Sequence, residues 1–284
     1  MTATLNQATR LAARQLASAS DSAALDAELL LAHVIGRDRV WLFTHPERIL
    51  APVQEKAFAT LLARRLRGEP LAYLTGERDF YEHRFRVNDA TLIPRPETEL
   101  LVERVLELTE PDQPFQLLDL GTGSGVIGIS IALARPNAVV VATDVSDAAL
   151  DVAKLNGQQL KASNIEFRSG SWFAPVPGQR FDFVVSNPPY VAAGSPYLND
   201  PALGFEPLGA LVAGNDGLDA VQAIVAGIGD ALYPGGRLLI EHGHDQAYAI
   251  GVIAKAHGCV VLGCHRDLAG LDRFSELTTE SSAQ

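Results

Sequence analysis

Cysteine is nearly missing from these 284 residues, with only Cys259 and Cys264, close together near the end. That excludes a disulfide scaffold and a thiolate metal set, so both are expected to be reduced thiols in a cytoplasm. His242 and His244 flank Gly243, yet no ligand spacing continues from them, and no metal is expected. An excess of positive charge is missing too: 23 Lys and Arg face 34 Asp and Glu, a net charge of −11. Proteins held to nucleic acid by phosphate neutralisation are usually basic, so no stable nucleic-acid binding is expected, although Arg64, Arg65 and Arg67 form a small basic patch. No apolar run approaches the ~18 residues that a membrane span needs. The first twenty residues lack acids and carry Arg10 and Arg14, a faint likeness to a transit peptide. There, however, Leu5, Ala8, Ala12 and Leu16 recur at helical spacing, and plain helix is the expectation.

What is present is ample core material, 47% hydrophobic against 20% charged residues, in a chain long enough for one large domain or two. Residues 1 to about 74 read as helices. Asp21-Ser22 caps one that runs through Leu25, Leu29 and Ala32 to Gly36, and Pro52 opens another that ends at Gly68. No acid–base pair or glycine loop occurs among them. From Phe80 to Ile93 the pattern shortens to a strand pair turning at Asn88-Asp89. Pro94–Glu99 then opens an amphipathic helix. Beyond Pro114, strands and helices alternate: strands at Gln116–Leu120, Ala138–Thr143, Ile165–Arg168, Phe181–Val185 and Arg237–Glu241, then two around Val260 and Phe274–Leu277. Such alternation predicts an α/β fold, a parallel sheet with helices on both faces, ending in a polar, frayed tail from Thr278 to Gln284.

The loops after these strands carry the chemistry. Asp119-Leu120-Gly121-Thr122-Gly123-Ser124-Gly125 joins the first strand of the sheet to a helix, where glycines let the backbone approach a ligand at a helix N-terminus. Asp144 closes the next strand about twenty residues on, the spacing of an acid that holds ribose hydroxyls. NAD, FAD and S-adenosylmethionine all offer such a ribose. Asp119 suits a ligand with an ammonium group and would repel a pyrophosphate. Trp172 reaches the same edge, as a stacking partner for adenine or as a core aromatic. Ser186-Asn187-Pro188-Pro189-Tyr190 ends the run Phe181–Val185. Its prolines fix φ and remove donors, leaving the Asn187 side-chain oxygen, a main-chain oxygen and the Tyr190 face to hold a planar NH2 group. Substitution at an amide or aromatic amine nitrogen is the implied chemistry.

These residues together resemble the release factor glutamine methyltransferases, the PrmC/HemK family. The resemblance runs through Glu69–Gly76, Phe80-Tyr81, Leu92–Glu99, Asp119–Gly125, Asn187–Tyr190, Phe205-Glu206-Pro207 and Glu241-His242-Gly243. It implies a class I S-adenosylmethionine-dependent methyltransferase, with a Rossmann-like seven-stranded sheet and a small N-terminal helical domain. The divisions expected are a substrate-docking helical domain at 1–74, a hairpin linker at 75–93 and the cofactor-binding domain at 94–284. The resemblance implies methyl transfer to the side-chain amide nitrogen of the glutamine in the Gly-Gly-Gln loop of class I peptide chain release factors, in the cytoplasm, leaving S-adenosylhomocysteine. Gly121, Thr122, Gly123, Ser124, Gly125 and Asp144 would hold the cofactor, Trp172 would contact adenine, and Asn187 would border the methyl. Asn187, Pro188, Pro189 and Tyr190 would hold the glutamine. Ser171 departs from the family, which often has Asp there, and is not assigned a role.

Two other readings use the same residues. An amine methyltransferase acting on adenine in DNA or RNA would use the same clamp on a flipped base, but it needs a basic channel. A non-catalytic nucleotide-binding module would use the glycine loop and leave Asn187–Tyr190 without a purpose.

Overall fold

Leu5, Ala8, Ala12 and Leu16 are all buried along one face of α1 (Leu5–Leu16), which Thr4 and Gln7 close with a capping box. The helix belongs to one of two units into which the chain divides in a computed structural model that describes residues 3–279. This first unit holds the chain up to Glu77 together with Asp200–Phe205. Its other helices are α2 (Ala23–Ile35), α3 (Arg39–Thr44), α4 (Pro52–Arg65) and α5 (Leu71–Thr75). Leu30, Leu31, Leu42, Leu50, Phe58 and Leu74 complete the core that α1 begins. Gly36 ends α2 with φ of 68°, the left-handed C-cap that glycine adopts without strain.

Ser22 stands at the N-cap of α2, as its sequence suggests, but its side chain makes no capping bond. Its hydroxyl donates instead to Asp26 Oδ1 (2.9 Å), while Ser20 donates to Asp26 Oδ2 (2.8 Å). Arg65 Nε on α4 donates to the same Oδ2 at 2.7 Å. A buried carboxylate thus joins two helices with both of its oxygens hydrogen-bonded, the condition under which buried charge is tolerated.

The second unit holds Arg78–Asn199 and the chain from Glu206 onward. The predicted strand pair forms, but in a different register: β1 (Glu77–Phe80) pairs with β2 (His83–Arg86), turning at Tyr81-Glu82 and not at Asn88-Asp89. Tyr81 takes φ of 52° there, and its N–H donates to a Glu99 carboxylate oxygen at 2.8 Å. Asn88 still shapes a turn, bonding the Ala90 and Thr91 amides. Beyond it, Leu92 and Ile93 join no strand; the Ile93 N–H donates to Glu206 Oε2 at 2.9 Å.

A short 3-10 turn, Pro96–Thr98, leads into α6 (Glu99–Glu107). Then follow β3 (Gln116–Leu120), α7 (Val126–Ala134), β4 (Val139–Asp144), α8 (Asp147–Leu160), β5 (Ile165–Ser169), β6 (Phe181–Ser186), α9 (Asp219–Ala231), β7 (Leu232–Glu241), α10 (Ala247–Ala256), β8 (Cys259–Arg266) and β9 (Asp272–Thr279). The seven-stranded sheet has the order β5-β4-β3-β6-β7-β9-β8. Its central strands β3, β4, β6 and β7 are buried on both faces, so side chains alternate between two cores. Leu117, Phe183, Val185 and Leu239 enter the one with α6 and α7; Leu118, Val184, Leu238 and Ile240 enter the one with α9 and α10.

The sheet is not wholly parallel, as the alternation suggested: β9 runs antiparallel to both β7 and β8. No helix stands between β8 and β9, and a short connection can join only antiparallel neighbours. Thr278, expected to fray, pairs within β9 and donates through its hydroxyl to the Gly236 carbonyl at 2.8 Å. The remainder of that expected tail, 280–284, lies outside the described residues. Among the described residues no helix is long and apolar enough to cross a membrane.

Candidate active site

Leu120 at the end of β3 stands level with Thr143 on β4 and Ser186 on β6. The Ser186 hydroxyl donates to the Leu120 carbonyl at 2.8 Å, tying two strand ends together. Between β3 and β6 the strand order reverses, the place where open α/β sheets bind ligands. The glycine loop, Asp144 and the Asn187–Tyr190 loop therefore leave the sheet along one edge.

The first cavity, of about 300 Å³, lies against the glycine loop. Gly121, Thr122, Gly123, Ser124, Asp144 and Trp172 all line it, as does Ser171. Asp144 is held from both sides: Oδ2 accepts from the Gly123 N–H and Oδ1 from the Ser146 N–H, each at 2.9 Å. Each oxygen keeps a further lone pair, which suits a diol. Trp172 takes φ of 45°, a strained conformation for a bulky residue, and its ring lies beside Gly121, where a Cβ would meet Cζ3 in ordinary contact at 3.7 Å. A paired acid, a flat aromatic and apolar walls from Leu92 and Val145 fit a ligand with a ribose and a planar base.

Two residues of the glycine loop face elsewhere. Gly125 is not in the lining; with φ of 86° it caps α7, and a Cβ there would lie 2.6 Å from Ile129 Cδ1. Asp119, expected to face an ammonium group, is fully buried and absent from the lining as well. Its Oδ2 accepts from the Thr122 hydroxyl (2.6 Å) and the Gly128 N–H (3.0 Å), while its Oδ1 has no hydrogen-bond partner. Burial pushes its pKa up to about 6, partly offset by those two bonds.

A second cavity, of about 500 Å³, adjoins the first. Pro188 and Tyr190 line it, with Arg95, Glu97, Tyr197 and Glu241, whereas Pro189 faces the first cavity. Asn187 lines both. Its Nδ2 donates to Thr98 Oγ1 at 3.0 Å, so the carbonyl oxygen is the end left to accept. The Tyr190 hydroxyl donates to Glu241 Oε1 at 3.4 Å, and its carbonyl accepts from Gln246 Nε2 at 3.0 Å. Burial raises the Tyr190 pKa, keeping the phenol a donor. Burial also pushes Glu241 up to about 7, opposed by the Thr98 and Tyr190 hydroxyls. Next to it, His242 is held below the ordinary imidazole range by burial, with one ring nitrogen on the Gly243 carbonyl and the other on the Ser275 hydroxyl. Neither nitrogen is left for a metal.

Two family models match the chain: the PrmC N-terminal domain over residues 7–76 and the methyltransferase small domain over residues 96–198. Curated relatives named release factor glutamine methyltransferase cover nearly all of it. That of Bordetella pertussis is 46% identical over 88% of this chain and 93% of its own length. That of Xylella fastidiosa is 45% identical over 88% and 91%, and that of Coxiella burnetii 41% over 95% and 97%. The chain belongs to the release factor glutamine methyltransferase family.

Solved structures agree on the fold of this family member. A Pyrococcus furiosus methyltransferase matches with a TM-score of 0.51 at 19% identity, over 68% of this chain and 86% of its own. A Thermus thermophilus 16S rRNA methyltransferase matches at 0.52 and 20%, over 72% and 50%. Thr98, Arg95 and Glu241 are the site residues that sequence reasoning left without a role. Each lay inside a stretch that carries the family resemblance, Leu92–Glu99 or Glu241–Gly243, and that membership was the only sign of them.

Proposed function

We propose that this chain methylates the side-chain amide nitrogen of the glutamine in the Gly-Gly-Gln loop of class I peptide chain release factors, supporting translation termination, with S-adenosylmethionine as donor. The observation that carries this reading is Asn187, whose side chain borders both cavities and whose amide nitrogen is already engaged by Thr98. Gly121, Thr122, Gly123, Ser124, Asp144 and Trp172 would hold the cofactor in the first cavity, which supplies an electrophilic methyl group when bound.

The chain's own part is to hold and orient the acceptor. The Asn187 oxygen and the Pro188 carbonyl take the two hydrogens of the glutamine NH2, and the Tyr190 ring lies on its plane. An amide nitrogen is a poor nucleophile, so orientation supplies much of the rate; well-placed reactants lower a barrier by roughly 7–11 kcal/mol. As the lone pair leaves conjugation, positive charge grows on the nitrogen, and the two acceptors stabilise it. The helical unit, residues 1 to about 74, serves in this reading to dock the protein substrate. The compartment it requires is the cytoplasm, where termination takes place.

The test is mass spectrometry of a release factor incubated with enzyme and S-adenosylmethionine. One added methyl on the Gly-Gly-Gln glutamine is expected. A methyl recovered instead on adenine, in digests of DNA or RNA offered in parallel, would replace this reading with the nucleic-acid one.

A further inference from the structure

Glu241 ends β7 with its side chain buried among polar groups, and the mechanism above gives it nothing to do. Its place is unusual in three respects. It faces the second cavity, where the acceptor amide would lie. It receives the Tyr190 hydroxyl on Oε1 at 3.4 Å, while its buried Oε2 has no hydrogen-bond partner. The Thr98 hydroxyl also acts on it, and that hydroxyl accepts the Asn187 amide at 3.0 Å. A hydroxyl that accepts from an amide has its own proton to give, and Glu241, whose pKa Thr98 lowers, is an acid within its electrostatic reach.

Tyr190 is thereby bonded to this carboxylate, and Asn187 is bonded to a hydroxyl that lowers the carboxylate's pKa. We propose that Glu241 is a positioning residue for methyl transfer: ionised, it draws the Thr98 hydroxyl toward itself, which fixes the Asn187 amide with its oxygen toward the acceptor. This rests on the reading of Asn187 given above. A buried carboxylate with one oxygen unpaired costs stability, so it is a group that packing alone would not select.

The other charged groups facing Glu241 are Glu97, in the 3-10 turn before α6, and Arg273 on β9; the first raises its pKa and the second lowers it. Arg273 is itself paired with Asp267 at 2.6 Å, and His242 beside it is held neutral. Burial outweighs both charges and brings the ionisation to about pH 7. Below that pH the neutral acid competes as a donor for the Thr98 oxygen, and the hold on Asn187 loosens.

The experiment follows the Asn187 side-chain NH2 by nitrogen-15 NMR in the full-length protein, assigned by its loss in Asn187→Ala. Its resonance should titrate with a midpoint near 7 and become flat in Glu241→Gln and Thr98→Val. In parallel, Glu241→Gln should lower kcat by about 10-fold while the S-adenosylmethionine dissociation constant stays within about twofold, since only orientation is lost. Thr98→Ser, which keeps the hydroxyl, should recover most of the activity that Thr98→Val loses. A flat Asn187 resonance in the native protein, an unchanged titration in Glu241→Gln, or native kcat in that variant overturns the proposal. If Asn187 follows Glu241 but no release-factor glutamine is methylated, the coupling stands and the substrate reading fails.

Discussion

Replacing Asn187 by Ala removes the side-chain acceptor at the junction of the two cavities and leaves the glycine loop in place. Methyl transfer should fall by at least ~10²-fold, the cost of losing one group that stabilises developing charge. Cofactor affinity should change far less, and single-turnover assays beside calorimetry separate the two. Asp144→Ala should do the reverse. If Asp144 holds the ribose hydroxyls as proposed, its loss should weaken cofactor binding by roughly 1.5–3 kcal/mol per charged hydrogen bond, read by calorimetry. An unchanged dissociation constant would leave Asp144 only its two loop amides to hold. That both residues would reach this edge of the sheet was legible because local chemistry dictates it: prolines fix the loop at Asn187, and Asp144 ends a strand at a fixed distance from the glycines. Thr98 was not, because its partner Asn187 lies 89 positions away, and Glu241 stands 51 from Tyr190. That Asp119 would be buried behind the cavity lining was not legible, for a related reason. Which way a strand-end carboxylate turns depends on donors such as the Gly128 amide, which only the folded loop brings within reach.

Helices and strands were legible wherever an apolar period extended over a whole element, as along α1 or through the central strands. The hairpin register was not, since the Tyr81 turn is held by Glu99, 18 residues on, and no local turn signal announces such a partner. Nor does alternation of strands and helices tell the direction of β9, which is set by its connection to β8. Ionic ties between elements are equally silent in sequence. Asp26 on α2 and Arg65 on α4 are 39 positions apart, and both side chains are largely buried. Asp26→Ala should therefore destabilise the helical unit by about 3–5 kcal/mol, because it strands a buried guanidinium in addition to losing a bond. Urea unfolding followed at Trp41, which lies in that unit, measures this. A loss below about 1 kcal/mol would mean that Arg65 finds water as readily as it finds Asp26.

At the scale of the whole molecule, two of the buried acids of the sheet unit set a pH dependence. Glu241 rises from 4.5 to about 7 and Asp119 from 3.8 to about 6, both through burial. Each carboxyl stays protonated in the native state after the unfolded chain has released its proton. Their contribution is thus complete below about pH 4 and is lost as pH climbs to about 7. For Glu241 the loss is roughly 3 kcal/mol, and Glu241→Gln should remove that part of the slope while leaving the part due to Asp119. Urea midpoints read at Trp172 across this range, in a Trp41→Phe background, show whether the slope flattens. The division into two units makes a second prediction. No catalytic set precedes Phe80, so a chain lacking residues 1 to about 74 should still bind S-adenosylmethionine through the sheet unit. If the helices dock the substrate as proposed, it should lose most activity on an intact release factor, while a short Gly-Gly-Gln peptide, which would not use that surface, should react at its already low rate. Folding of the truncated chain has to be shown first by its cofactor affinity and circular dichroism. Asp200–Phe205 groups with the helices, where Pro201 Cβ would lie 3.6 Å from a Cβ on Gly68, and the deletion leaves that segment without its packing. Equal loss on peptide and protein in a folded truncation would mean that the helices shape the acceptor cavity itself. Full activity on the intact factor would mean that they dock nothing.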